Sequence, residues 1–361
     1  MARAPNSIDF WRGLALVTIA IDHIPGNFYE GWTLRNFALS DASQIFVFLA
    51  GWAVRLVLSG RKAQADPTAA RMRLVRRAWT LYVAQALISA IALGILEAAA
   101  WWFDAAFIHD WLNAADFFGD PAGTTLGFLS LGTQLSYFNI LPLYVALMLW
   151  APAMAWLDAR GPWLALGVSA AIYAVALAFR LNFPNWPGEG GWFLDPFAWQ
   201  FIFTLGFALA GEAGLGGWAR RHSRALTALA VPILVAGLLM VRFKWSPRLA
   251  DLPEPRLFFI FSKTYLSPAL ILSMLALAAT TRWVFPLVAR WAGPVARWAS
   301  LLGRNSLNVF CVGSVASLLA QIARYWTGGG LAVDTFLVGA SVALALFTAW
   351  HTEWRASRSP S

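Results

Sequence analysis

The run Asp9-Phe-Trp-Arg12-Gly-Leu-Ala-Leu-Val-Thr18-Ile-Ala-Ile-Asp22-His23-Ile-Pro25 is apolar enough to enter a bilayer, yet an arginine, an aspartate and a histidine sit inside it. Ionisable groups are costly in lipid, so they face a protein interior or an aqueous cavity and are functional candidates there by default. The surrounding chain has the same character. It has 361 residues, 59% of them hydrophobic and 12% charged, against about 25% charged in a soluble domain. The fold class this implies is all-α, a polytopic integral membrane protein.

A spanning helix needs about 20 mostly apolar residues. Ten segments qualify, near residues 7–25, 41–59, 79–101, 137–157, 163–181, 197–212, 225–242, 263–281, 304–323 and 331–350. No internal repeat and no interposed soluble unit is visible, so residues 1–361 read as a single domain whose catalytic core is 7–25 and 41–59. The first apolar segment is read as retained, because Asp9, Arg12, Asp22 and His23 interrupt what a cleavable leader would keep clean.

Charge alternates between the segments. Arg61, Lys62, Arg71, Arg73, Arg76 and Arg77 crowd residues 61–78, and no Lys or Arg follows until Arg160. By the positive-inside rule the basic loop is cytoplasmic and the Trp-rich 101–136 segment lies outside; with ten spans both termini are cytoplasmic. The exception is 242–263, where Arg242, Lys244, Arg248, Arg256 and Lys263 fall on the outer side. Either that loop meets something anionic or one span is miscounted.

The net charge of +9 is scattered between apolar runs, a topology signal and not a nucleic-acid stripe. The single cysteine, Cys311, makes an intramolecular disulfide impossible, and no Cys/His spacing indicates a metal site.

Eleven residues of helix advance about 1100° and about 16 Å, so Arg12 and His23 share one face, the arginine low and the imidazole high. Asp9 is placed to neutralise Arg12 at i,i+3. Asp22 lies about 100° round from His23, so its pairing with the imidazole is not assured by helix geometry. Gln44 and Arg55 repeat the eleven-residue spacing in the second segment, with Asp41 as a polar cap at its entrance. Arg12 and Arg55 are therefore expected to meet in the cytoplasmic half of one cavity, with Arg76 and Arg77 below, a cationic path for a phosphorylated ligand.

At the far end, Gly303-Arg304-Asn305-Ser306 opens the ninth segment and reads either as an anion site at a helix N-terminus or as a cap. Outer-side candidates for a cavity or acceptor are Trp32, Asn36, Asn139 and Tyr144. Aromatic and amide neighbours suit sugar rings, although Trp is also the ordinary interfacial anchor.

Four stretches carry a family resemblance: Asp9-Phe-Trp-Arg-Gly-Leu-Ala-Leu, Ile21-Asp-His-Ile-Pro, residues 34–51 (Leu-Arg-Asn-Phe-Ala-Leu-Ser-Asp-Ala-Ser-Gln-Ile-Phe-Val-Phe-Leu-Ala-Gly) and Gly303-Arg-Asn-Ser-Leu-Asn-Val-Phe. The chain resembles the OpgC-type succinyltransferases of osmoregulated periplasmic glucans and, in its Arg, ten residues, His pattern, the wider membrane acyltransferases that modify surface sugars. The resemblance implies a multi-pass protein of the bacterial cytoplasmic membrane. There acyl-CoA, by family succinyl-CoA, is a cosubstrate and not a resident cofactor, and a glucan hydroxyl is the acceptor.

Carried over residue by residue, the resemblance implies a role in acyl transfer for His23 and Asp22, and for Arg12 on the donor side. A histidine in that role acts as general base or as acyl carrier. A transporter for an anionic metabolite or glycan is the alternative, disfavoured because transporters often pair broken helices between repeats and the two halves here do not match. The expected partners are lipid, donor and glycan, and the sequence assigns no oligomeric state.

Overall fold

The structure, a computed structural model, describes residues 4–358. In chain order its helices are α1 (Ser7–Asp22), α2 (Ala42–Leu58), α3 (Arg61–Ala65), α4 (Pro67–Phe103), α5 (Ala115–Gly119), α6 (Pro121–Leu129), α7 (Ile140–Asp158), α8 (Leu164–Phe179), α9 (Pro196–Ala210), α10 (Gly214–Arg221), α11 (Ser223–Arg242), α12 (Pro268–Thr281), α13 (Val284–Trp291), α14 (Gly293–Arg304), α15 (Ser306–Thr327) and α16 (Leu331–Arg358). Among the described residues extended pairing is confined to one isolated bridge, Pro184 with Gly191. The all-α expectation holds.

Each of the ten apolar segments contains a helix, but the segments are not equivalent. Five helices, α4, α7, α11, α15 and α16, are long and apolar enough to cross a membrane, and the count rises to seven if the bent pairs α9–α10 (65°) and α12–α13 (44°) each make one crossing. α2 and α8 are apolar but shorter. α1 has 16 residues, about 24 Å of helix against a hydrocarbon core of about 30 Å, and it carries Asp9, Arg12 and Asp22. Five to seven candidate crossing helices thus stand against a sequence count of ten.

The polar residues at the helix starts explain where the elements begin. Asn6 caps α1 by accepting the Asp9 N–H at 3.0 Å. Asp66 and Asp195 cap α4 and α9, each followed by proline at the first helical position, where a missing N–H costs nothing. α2 starts with a reciprocal box in which Asp41 takes the Ser43 N–H and the Gln44 side chain takes the Asp41 N–H, satisfying two otherwise orphaned donors.

Two helix pairs are packed backbone to backbone. In α1 and α14, Gly13 faces the Ala299 carbonyl and Gly303 faces the Asp9 carbonyl; in α2 and α9, Gly51 faces the Phe203 carbonyl and Gly206 the Phe48 carbonyl. A Cβ at any of the four would overlap its neighbour. Small residues allow this close approach where lipid supplies no hydrophobic drive between helices. The two pairs hold α1 and α2, the carriers of the polar residues, against a core that includes Phe46, Trp199, Phe203 and Phe310.

Candidate functional site

α1 ends at His23 and the chain turns sharply through residues 24–27. That turn is clasped from three directions. The Asn27 amide donates to the Ile21 and Ile24 carbonyls at 2.9 and 2.7 Å. Arg324 of α15 donates to the Gly26 carbonyl at 2.5 Å and pairs with the buried Asp334 of α16 at 2.7 Å. Asp334 in turn accepts the Phe28 N–H at 2.9 Å. His23 is thereby set at a fixed height in the wall of a cavity of about 370 Å³, within the size range of small-ligand sites.

The cavity wall combines charged pairs, amides and aromatic faces. Asp22, His23, Asp41, Arg35 and Lys263 line it together with Asn113, Gln134, Asn139 and Asn185, and with Tyr137 and Trp192. The His23 ring stacks on Tyr137 with centroids 4.5 Å apart and planes at 28°, and its Nδ1 is buried without a hydrogen-bond partner. Asp22 pairs with Arg35 at 3.6 Å, and Arg35 also pairs with Glu30. Asp41 accepts the Ser43 N–H and O–H at 2.8 and 2.5 Å and the Lys263 ammonium at 2.6 Å. The Lys263 backbone is itself held, its carbonyl accepting the Trp199 indole N–H at 3.0 Å.

At the other end of α1, Arg12 donates to the Ser306 hydroxyl at 2.6 Å and lies 5.7 Å from the Phe46 ring centroid. Arg77 of α4 is within electrostatic reach. Asp9 does not neutralise this arginine: its carboxylate accepts the Asn6 amide at 2.5 Å. The expected meeting of Arg12 with Arg55 does not occur either. Arg55 is paired with Asp158 of α7 and stacked on Phe207 at 4.8 Å, because α2 leans on α9 at that level and not on α1.

The remaining candidates are placed as follows. Arg304 and Asn305 both reach Glu353 of α16, at 2.8 and 3.4 Å, and Arg76 is exposed on α4. Gln44 is 1% exposed and spent in the α2 cap. Tyr144 donates its hydroxyl to the Phe46 carbonyl at 2.7 Å. Asn36 donates to the Glu30 carbonyl at 2.7 Å within its own turn, and Trp32 is 72% exposed. Of the outer candidates, Asp41 and Asn139 line the cavity.

Sequence reasoning missed Arg35, Asn113 and Gln134, which reach the cavity from connecting segments whose folding no local pattern reveals; Asn185 and Trp192 lie in the outer stretch 182–197, whose mix of aromatic and amide residues is the signal for a sugar site. Lys263 did leave a signal: it belongs to the basic loop that breaks the charge alternation. Among the described residues no group of three His, Cys, Asp or Glu side chains is placed to hold a metal ion.

Apolar helices around a polar, charge-paired cavity define a helical membrane protein. The chain belongs to the OpgC family: the family described as OpgC protein matches residues 3–357. Membership implies a transferase role in glucan modification. No curated relative and no solved structure matches the chain.

Proposed function

We propose that the protein is a membrane acyltransferase that moves an acyl group, succinyl by family resemblance, from cytoplasmic acyl-CoA to a glucan hydroxyl on the outer face of the bacterial cytoplasmic membrane. The observation that carries this reading is an unpartnered histidine nitrogen in the wall of a polar cavity, with Arg12, bonded among the described residues only to the neutral Ser306 hydroxyl, about 16 Å away along α1. In this reading α1, α2, α8 and the two bent pairs cross with the five long helices, giving ten crossings and cytoplasmic termini.

The chemistry needs a base, because a sugar hydroxyl is a poor nucleophile at neutral pH. His23 takes the hydroxyl proton as the oxygen attacks the thioester carbon; the new C–O bond forms, the C–S bond breaks, and the proton passes to the departing thiolate. An acyl-histidine route is equally compatible with an unpartnered ring nitrogen. Asp22, engaged with Arg35, acts on His23 through the field of the cavity wall and not as a bonded partner. Tyr137 and Trp192 offer faces for a sugar ring and the four amides offer donors and acceptors for its hydroxyls. Arg12, Arg77 and Ser306 hold the anionic donor.

The test is purified protein with succinyl-CoA and a β-glucan oligomer. Release of free CoA with a matching mass gain on the glucan, both lost in His23→Ala while the thermal unfolding profile is kept, is the expected result. Vectorial uptake of the glucan without covalent change would replace this reading with the transporter.

A further inference from the structure

The cavity of His23 ends on an apolar floor made by Ile19 of α1, Ala42 of α2, Ile140 of α7 and Phe310 of α15. One helical turn beyond three of these residues stand the groups around Arg12. Ser306, four residues before Phe310, accepts from Arg12. Phe46, four after Ala42, carries the guanidinium on its ring. Tyr144, four after Ile140, is within electrostatic reach of Arg12. Four residues of helix rise about 6 Å. On α1 the interval from Arg12 to Ile19 is about 10 Å, most of which the arginine side chain itself spans.

Chain direction is consistent with this. α1 and α15 run from the Arg12 level towards the His23 level, while α2 and α7 run back, so four helices place the apolar floor on the same side of the arginine. The polar cavity and the Arg12 cluster are thus separated by an apolar layer about one turn thick on α2, α7 and α15.

We propose that this layer is a septum across a single path, and that Phe310 swings aside to admit a narrow, thioester-ended arm bearing amide groups from the Arg12 side to His23. This rests on the acyl-transfer reading. Phe310 is the largest side chain of the floor and is 3% exposed. Three residues along α15, Gly313 is buried, yet a Cβ built there would meet nothing within 4 Å. A helical side chain covers the turn on its N-terminal side, so the side chain missing at 313 leaves open space one turn along α15, more than 4 Å clear of the Phe310 ring, into which the ring could turn. Ser314, one turn along from Phe310, is 5% exposed and buries a hydroxyl without a hydrogen-bond partner. An unpaired buried hydroxyl is costly, and an amide carbonyl passing at that level would accept from it.

The septum is read by thiol accessibility. With the single cysteine removed (Cys311→Ser) and Ser306→Cys as reporter, a small charged methanethiosulfonate is applied from the His23 side of the full-length protein in oriented proteoliposomes. Labelling should be slow with Phe310 in place and at least about tenfold faster with Phe310→Ala, as expected when a minor open state becomes populated. Equal rates would overturn the septum. Phe310→Leu, which keeps the layer apolar, should give an intermediate rate and serves if the alanine variant does not fold.

The cargo is read separately. Gly313→Leu fills that open space and should lower kcat/KM for the thioester donor about tenfold or more at unchanged KM for the acceptor; unaltered donor turnover would remove Phe310 as the moving part. If no thioester is turned over by the parent protein while labelling still responds to Phe310, the septum stands and the acyl-transfer reading falls, together with the thioester cargo.

Discussion

The His23 end and the Arg12 end of α1 are polar in opposite ways. Around His23 the cations are balanced: Arg35 by Asp22 and Glu30, Lys263 by Asp41. Around Arg12 they are not, since its partners are the Ser306 hydroxyl and the Phe46 ring, Arg77 is nearby, and among the described residues no carboxylate lies within ion-pair distance of Arg12. A wall in which Asp22 and Asp41 offset Arg35 and Lys263 presents donors and acceptors with no uncompensated cation, which suits a neutral polyol. An uncompensated, half-buried arginine with a second arginine nearby is stabilised by an anionic ligand. In the proposed reading, this difference supports a donor at the Arg12 end and an acceptor at the His23 end.

The strongest way to break this assignment is at His23. His23→Ala should lower glucan acylation about a hundredfold to ten-thousandfold, the usual span of general-base removal, measured as mass gain on the glucan; a loss of less than tenfold would move the chemistry elsewhere. Next comes Arg12→Gln, expected to raise the donor KM about ten- to a hundredfold, as for a lost charge-assisted hydrogen bond, and to flatten the dependence of donor KM on salt. An acceptor KM that rises instead would reverse the two ends.

The balance of the outer wall is tested by a double-mutant cycle. Asp41→Asn keeps a competent helix cap and removes the charge facing Lys263. Since the lysine is 39% exposed, the coupling between Asp41→Asn and Lys263→Gln should be about 1 kcal/mol or less, read from thermal unfolding in detergent. The smallest effect belongs to Trp32→Ala. Its ring is 72% exposed and outside the cavity lining, so stability should change by less than about 0.5 kcal/mol and glucan acylation should be unaltered. A clear rise in acceptor KM would extend the acceptor site to that surface.

Helical elements were legible in the sequence because each carries its own signals. The long apolar runs mark the bodies of α4 and α9 without reference to anything distant, but the start of α4 is not legible in this way: the basic stretch through residue 78, by sequence a loop, is helical from Pro67, behind the Asp66 cap. The co-facial placement of Arg12 and His23 is likewise a property of one helix. Asp9 illustrates the limit of such reasoning: the i,i+3 geometry permits a pair with Arg12, but Asn6 is as near and takes the carboxylate. Arg55 illustrates it again, because helical phase relates Arg55 to Gln44 but says nothing of Asp158, 103 residues later.

By itself, then, the sequence determined the class of protein, the apolar helical segments and the placement of Arg12 and His23 eleven residues apart along α1, since these follow from composition and from the 3.6-residue period. Tertiary structure alone decided which charges are compensated, which loop amides line the cavity of His23, and how thick the apolar layer between that cavity and Arg12 is. Those quantities depend on how closely helices approach, and that approach is set by contacts such as Gly13 on Ala299 and Gly51 on Phe203, between residues too far apart in the chain for any local pattern to join.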